Sequence, residues 1–306
     1  RDRERPGART HLARRARVRG RQLGRLMSSR TARRIVGAAM TGATYGAAAL
    51  ALLPLAAILA MLLLKGAGSL DWNFFTKSSV PLGEDGGGFA HAIAGTMLIV
   101  GVACAIGIPV GVGAGIFLAE FGNGLVGWLV RFVADTLNGT PSIVIGIFAW
   151  TWIVRPTGRF SGLAGAAALA CILVPIIART TEEMVRLVPN SLREAALALG
   201  YPRWRTSLQV VVRTAGTGIV TGCLVALARV AGETAPLLFT ALGNQFFSTN
   251  LLGAMAALPL QVYAYAAGPY EEWHRQAWAG ALVLILLVLI VGTAARILTR
   301  GRRAGG

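Results

Sequence analysis

Residues 191–202 read Ser-Leu-Arg-Glu-Ala-Ala-Leu-Ala-Leu-Gly-Tyr-Pro and separate two strongly apolar segments. Ser191 and Glu194 have the spacing of a capping box, in which the two side chains satisfy free backbone donors at the start of a helix. Gly200 and the proline that follows are typical of a helix end, because glycine adopts the left-handed conformation and proline cannot continue a helix. The pattern predicts a short helix over Leu192–Leu199. A short, capped helix between apolar segments is suited to docking against another protein.

The composition predicts an all-α protein that crosses a membrane several times. Apolar residues make up 55% of the 306 residues and charged residues only 14%, and the apolar residues form long blocks. Blocks of this length span a bilayer and exclude an ordinary soluble domain. The apolar blocks predict six transmembrane helices at about 35–64, 89–119, 125–154, 162–186, 208–242 and 278–297.

Two of these spans carry internal features. The third is interrupted at Thr140-Pro141, where we expect Thr140 to cap a helix and Pro141 to occupy its first position. Ser142 follows directly. We count the pieces before and after this interruption as one kinked crossing. The second has glycines four residues apart, and such small residues allow two helices to pack closely. The glycines are Gly107, Gly111 and Gly115.

The distribution of basic residues predicts the orientation. With the amino terminus inside, 24 of the 30 Lys and Arg residues lie on the cytoplasmic side, five lie outside and Arg229 lies within the membrane. The positive-inside rule therefore places both termini and the 191–200 loop in the cytoplasm. The predicted organisation is a basic tail (1–34), a first transmembrane helix with its external loop (35–88), a core of five helices with a coupling loop at 187–207 (89–300), and a short tail (301–306).

Arg229 and Glu233 are the charges that most need a function, because they lie in the middle of the fifth predicted span. A charge at mid-membrane costs at least about 2.5–3.5 kcal/mol, so each is expected to face a cavity or a partner. One interpretation is a pair on a translocation path, in which the guanidinium attracts an oxyanion. The other is a buried ion pair that stabilises helix packing.

Three further residues are weaker candidates for the path. Arg179 lies near the inner end of the fourth span, where an arginine also occurs simply because it extends to the membrane surface. Thr140 and Ser142 offer hydroxyl groups at the interruption of the third span, although a helix start explains them equally well.

Other chemistry is not indicated by the sequence. The three cysteines are far apart in apolar blocks, and no metal-binding spacing is present. Neither Lys65 nor Lys77 follows a glycine, so the phosphate-binding loop of an ATPase is absent. If ATP drives this protein, ATP and Mg²⁺ must bind to another chain, and no cofactor is expected here.

The loop and three longer strings resemble permeases of binding-protein-dependent ABC importers. Glu194-Ala195-Ala196 followed by Gly200 is similar to the family's EAA loop. The usual proline of the following tail is replaced by Arg213, as in the phosphate-specific PstA branch. Resemblance to that branch extends over about residues 35–300, and its most similar strings are residues 131–146, 177–182 and 228–242.

The resemblance implies a type I importer fold in which residues 191–200 form a cytoplasmic coupling helix. Five residues of this helix are implied to contact the ATPase: Ser191, Glu194, Ala195, Ala196 and Gly200. It also implies a phosphate permease in the cell membrane, itself no enzyme, with a second, PstC-like permease, a PstB-like ATPase dimer and an external PstS-like phosphate-binding protein.

Three alternatives stay open. A sulfate or molybdate permease would have the same architecture. A proton-coupled secondary transporter would use Arg229 and Glu233 without an ATPase, although the two halves show no internal repeat. A membrane-anchored regulatory or nucleic-acid-binding protein would use the basic tail, which we instead expect to contact anionic lipid headgroups.

Overall fold

The computed structural model of the chain describes residues 7–80 and 87–301, and all regular elements within them are helical. Two compact units are present, one ending at Met61 and one beginning at Leu62. The α-helices are α1 (Gly7–Gly66), α2 (Trp72–Thr76), α3 (Ala90–Glu120), α4 (Leu125–Gly139), α5 (Ser142–Ala149), α6 (Arg155–Thr157), α7 (Gly162–Arg186), α8 (Asn190–Ala198), α9 (Arg203–Arg205), α10 (Val212–Ala231), α11 (Ala235–Thr240), α12 (Leu258–Ala266) and α13 (Glu271–Gly301). Two π-helical segments, Trp150–Val154 and Thr206–Val211, join α5 to α6 and α9 to α10.

The predicted set of membrane spans is confirmed. Five helical segments among the described residues are long and apolar enough to cross a membrane, and a sixth span results if the bent pair of α4 with α5–α6 is counted as one. The five are Arg33–Ser69, Ala90–Glu120, Gly162–Arg186, Arg203–Ala231 and Glu271–Ala294.

Helices α3 and α7 form the centre of the second unit, and they pack in parallel. A Cβ atom added to Gly107 would lie 2.6 Å from Leu173, and one added to Gly111 would lie 2.8 Å from Ile177. The contacts advance along both helices in the same direction, with the glycines facing branched side chains, as the small-residue pattern predicts. Because the two helices run the same way, the chain between them must return to its starting side.

Gly115 continues this interface and gives a test of it. A Cβ there would lie 2.5 Å from both the Ala178 carbonyl oxygen and the Thr181 side chain, so Gly115→Ala must force the helices apart, at a cost of about 1–3 kcal/mol. Gly113 has open space around it, so Gly113→Ala is the matched control. We expect the purified Gly115→Ala protein to unfold at a lower temperature than the wild type, and Gly113→Ala at the same or a higher one. Equal unfolding temperatures for the two variants would contradict the packing described.

The interruption of the third span is sharper than the predicted kink. Helices α4 and α5 meet at 107°. Thr140 and Pro141 are both extended, so two residues turn the chain through more than a right angle. The expected capping is wrong: Pro141 stands at the N-cap position, Ser142 is the first helical residue, and the Thr140 hydroxyl donates instead to the Thr136 carbonyl oxygen (2.7 Å).

The fifth span is also discontinuous, whereas the sequence predicted one helix over 208–242. Helix α10 ends at Ala231, and α11 begins only at Ala235. Gly232 is the C-cap, and Pro236 lacks the N–H group that a continuous helix would use to bond the carbonyl four residues earlier. Glu233 therefore lies in a break between two helices, four residues from Arg229 but not on the same helix.

Candidate coupling and translocation sites

The predicted coupling helix is present as α8. Its end is a Schellman motif: the N–H of Gly200 donates to Leu197, the N–H of Tyr201 donates to Ala196, and Gly200 has φ +81°. The predicted capping box is not formed. The helix starts at Asn190 after Pro189, so Ser191 is already in the first turn, where its side chain makes no capping hydrogen bond. The fixed backbone angle of proline starts the helix earlier than the sequence suggested.

The exposed surface of α8 contains most of the predicted contact residues. Ser191, Glu194, Ala195 and Gly200 are exposed, whereas Ala196 is buried within this chain. Apolar side chains next to them also face outward, and an exposed apolar patch of this kind marks an interaction surface. These side chains are Leu187, Leu192, Leu197, Leu199, Tyr201 and Trp204.

Arg193 was missed by the sequence analysis and attaches α8 to the helices of the second unit. Its guanidinium donates to the Glu120 carboxylate (3.0 Å) and to the carbonyl oxygens of Val185 (2.9 Å) and Val188. The other Glu120 oxygen accepts from the Ser207 hydroxyl (2.8 Å). Nothing in the local sequence pairs residues that are 73 positions apart.

Arg179 belongs to a cluster of charges centred on Glu182, whose side chain is only 3% exposed. Glu182 accepts hydrogen bonds from Arg131 (2.7 Å) and Arg179 (2.8 Å) and forms an ion pair with Arg186 (2.7 Å), and Asp135 pairs with Arg179 at 2.9 Å. The Arg179 charge is thus balanced by two carboxylates. These ion pairs join α4 to α7 and therefore stabilise helix packing. Because its charge is already paired, Arg179 is less suited to attract an anion.

Arg131 has a second function in the same cluster. Its guanidinium also donates to the carbonyl oxygens of Leu118 (2.6 Å) and Gly122 (2.9 Å) at the end of α3. A cation at a helix C-terminus satisfies free carbonyl groups and interacts favourably with the helix dipole. The ends of α3, α4 and α7 are therefore held together by arginines.

Arg229 differs from these arginines because it is weakly paired. Its Nε lies 3.8 Å from Glu233 Oε1, too far for a hydrogen bond, and its side chain is 59% exposed against 18% for Glu233. The guanidinium thus projects away from this chain on a helix whose other charged residue, Arg213, lies at the opposite end. An exposed charge in the last turn of a membrane-spanning helix, beside a helix break, is the geometry expected of a group that faces a path or a second subunit.

Thr140 and Ser142 do not join Arg229 in one polar site. Thr140 lines a cavity of about 640 Å³ between α3, α4, α5 and α7, whose other lining side chains are apolar. Its hydroxyl is occupied by the Thr136 carbonyl, and Ser142 is half-buried. Among the residues that the structure describes, no three His, Cys, Asp or Glu side chains are grouped so as to hold a metal ion.

Comparison with known proteins identifies one family throughout. The family model "Binding-protein-dependent transport system inner membrane component" matches residues 111–304. Proteins named "Phosphate transport system permease protein PstA" are similar over most of the chain. One from Xylella fastidiosa is 49% identical, covering 78% of this chain and 83% of its own length. One from Haemophilus influenzae is 45% identical, covering 84% and 92%.

Solved structures show the same fold at low sequence identity. The MetNI methionine ABC transporter, in an inward-facing conformation, has a chain with TM-score 0.54 and 20% identity that covers 69% of this chain and 93% of its own length. A chain of an amino acid ABC transporter has TM-score 0.52 at 16% identity. At this identity the similarity concerns the fold alone. It confirms the predicted ABC-importer permease fold.

Proposed function

Because the chain belongs to the family of binding-protein-dependent transport system inner membrane components, in its PstA branch, we propose that it admits inorganic phosphate through a membrane. It does so as one permease subunit of an ATP-driven importer. The proposal rests on the sequence identity to a phosphate permease, which is 49% over 78% of this chain. The exposed Arg229 supports it, since a guanidinium binds phosphate oxygens by charge-assisted hydrogen bonds.

The proposed complex contains a second permease subunit, an ATPase dimer and an external phosphate-binding protein. ATP and Mg²⁺ bind to the ATPase, and both termini of this chain lie in the cytoplasm, as the positive-inside rule favours. The exposed face of α8 supports a docking function, because apolar side chains and Glu194 are exposed on it together. The same helix is attached to α3 by the contact between Arg193 and Glu120. The second permease completes a path of which this chain lines half.

In the proposed mechanism, closure of the ATPase dimer displaces α8, and the helices attached to it tilt. The cavity between the two permeases then opens to the outside and receives phosphate from the binding protein. Arg229 attracts the anion part-way across the membrane, and Glu233 balances the guanidinium when phosphate has left. The break after α10 allows Glu233 to change its distance from Arg229 without unwinding a helix.

Reconstitution tests this function. The complete complex in proteoliposomes should hydrolyse ATP faster when phosphate-loaded binding protein is present on the outside, and it should accumulate labelled phosphate. Sulfate in place of phosphate should do neither. Accumulation driven by a proton gradient without ATP would instead indicate a secondary transporter, and stimulation by sulfate or molybdate would assign another oxyanion.

Glu194→Gln tests the docking face. Loss of the exposed carboxylate removes a charged hydrogen-bonding group from the proposed contact, which is worth about 1.5–3 kcal/mol, so we expect uptake to fall about tenfold while ATP hydrolysis continues. Glu183→Gln is the control, since Glu183 is also exposed at the end of α7 but outside α8. Uptake per ATP hydrolysed is the measurement, and an unchanged ratio in Glu194→Gln would exclude its function in docking.

A further inference from the structure

Glu120, the last residue of α3, connects three elements of the chain. Its carboxylate is 12% exposed, and each oxygen has a different partner. Oε1 accepts from Arg193 of α8 at 3.0 Å, and Oε2 accepts from the Ser207 hydroxyl at 2.8 Å. Ser207 belongs to the π-helical segment that leads into α10. One side chain thus joins the coupling helix to the ends of two membrane spans.

Helix α8 is attached to α7 and α10 in a different way than to α3. Helix α8 is covalently continuous with α7 through Leu187–Pro189 and with α10 through Leu199–Val211. Helix α3 has no such continuity, because 69 residues separate its end from the start of α8. The pair Arg193–Glu120 is therefore the direct polar link through which a displacement of α8 reaches α3.

Arg193 is held in place for this link. It also donates to the carbonyl oxygen of Val185 in the last turn of α7 and to that of Val188 in the connection to α8, and its side chain is only 20% exposed. A planar guanidinium that donates to several fixed acceptors loses little freedom for each bond and transmits displacement in a defined direction. A lysine, with a single rotatable ammonium, is not equivalent.

The π-helical segment gives the other connection a physical basis. It has one residue more per hydrogen-bonded turn than an α-helix, and such segments occur mostly at functional positions. Ser207 is 3% exposed. Its bond to Glu120 ties this less regular segment to α3, and helix α10 carries Arg229 at its other end.

We propose that Glu120 is a positioning residue that makes the coupling helix, the inner end of α3 and the start of α10 move as one body. The proposal rests on the proposed importer function. It adds that one carboxylate transmits the movement of α8 to two spans, α3 and α10. Without Glu120, α8 still docks and the ATPase still hydrolyses ATP, but α3 and the start of α10 no longer move together with α8.

Activity measurements on the complete reconstituted complex test the proposal. We expect Glu120→Gln, and Arg193→Lys, which keeps a positive charge beside Glu120, each to leave assembly and basal ATP hydrolysis unchanged and to lower uptake per ATP hydrolysed about tenfold. Because the two side chains share the Glu120–Arg193 contact, the loss in the double variant should be smaller than the product of the two single losses. Ser207→Ala should lower the ratio less. The controls are Glu183→Gln and Arg213→Gln, which alter exposed charges near the end of α7 and at the start of α10.

A merely structural function would give a different result, since uptake and ATP hydrolysis would fall together with the amount of assembled complex. That outcome overturns the proposal, and so does an unchanged ratio in Glu120→Gln. If the wild-type complex fails to transport phosphate, the proposed cargo is wrong, and the link is then judged by a distance measurement that needs no cargo.

For that measurement, spin labels are attached at Phe121→Cys and Ala198→Cys, both exposed positions, after the three native cysteines are replaced by alanine. In the complete complex the distance between the labels should be the same without nucleotide and after ATP hydrolysis in the presence of vanadate, which traps ADP on the ATPase. In the Glu120→Gln background it should differ between the two states or become broad. A distance that changes in the wild type, or stays fixed in Glu120→Gln, overturns the proposal.

Discussion

Replacing Arg229 with glutamine is expected to abolish phosphate uptake while the complex assembles normally. The guanidinium is 59% exposed and lies 3.8 Å from the Glu233 carboxylate, so its removal breaks no hydrogen bond within this chain. Loss of a charged contact to a desolvated anion costs about 2–5 kcal/mol, which corresponds to at least about a 30-fold fall in uptake. Labelled-phosphate uptake, divided by the amount of complex that co-purifies, is the measurement.

Two companion variants separate charge from structure. Arg229→Lys keeps the positive charge and should retain partial uptake, whereas Arg213→Gln removes an exposed arginine from the other end of the same helix and should transport normally. If Arg229→Gln instead prevents assembly, the arginine serves helix or subunit packing. The interpretation of Arg229 as a structural ion pair would then be correct.

Replacing Glu182 with glutamine should have the opposite consequence, namely loss of the assembled protein. This carboxylate is 3% exposed, accepts hydrogen bonds from Arg131 and Arg179 and pairs with Arg186, so its neutralisation leaves the 24% exposed Arg131 without a carboxylate partner and Arg179 with Asp135 alone. Breaking a buried ion pair by removal of one partner costs about 3–5 kcal/mol. That cost is a large part of the stability of an ordinary domain. We expect a marked fall in the yield of folded protein and in its unfolding temperature.

The neighbouring residue provides a close control for this prediction. Glu183→Gln makes the same chemical change one position along the same helix, but its side chain is exposed. Its yield and unfolding temperature should equal those of the wild type. Normal yield and stability of the Glu182→Gln protein would show that the three arginines are satisfied by other groups.

The sequence was sufficient to predict features that depend on local pattern. Long apolar blocks predicted the spans, and α7 begins and ends where expected, at Gly162 and Arg186. Gly200 predicted the end of α8 because only a left-handed residue forms that C-terminal motif without strain. The glycine stripe on α3 predicted close helix packing, although not that its partner would be α7.

Features that depend on tertiary contacts were not predictable. The sequence suggested that Ser191 and Glu194 cap each other, but Pro189 starts the helix too early for that, and Glu194 remains exposed. It offered Arg179 either as a candidate for the path or as an arginine that extends to the membrane surface, and it did not indicate the pairing of this charge with Asp135 and Glu182.

The contacts of Glu120 show the same limit. They join residues 73 and 87 positions apart, which no periodicity relates. The breaks at α4–α5 and α10–α11 follow from proline and glycine positions whose angular effect only the folded chain determines.

Phosphate import through this chain is measured as uptake of labelled phosphate in cells that lack its gene, with and without the restored gene. The external phosphate is micromolar, and excess sulfate is the competitor. We expect the restored gene to restore uptake, and we expect sulfate not to reduce it. Equal uptake with and without the gene, in cells that have no second phosphate importer, or restored uptake that sulfate abolishes, would contradict this expectation.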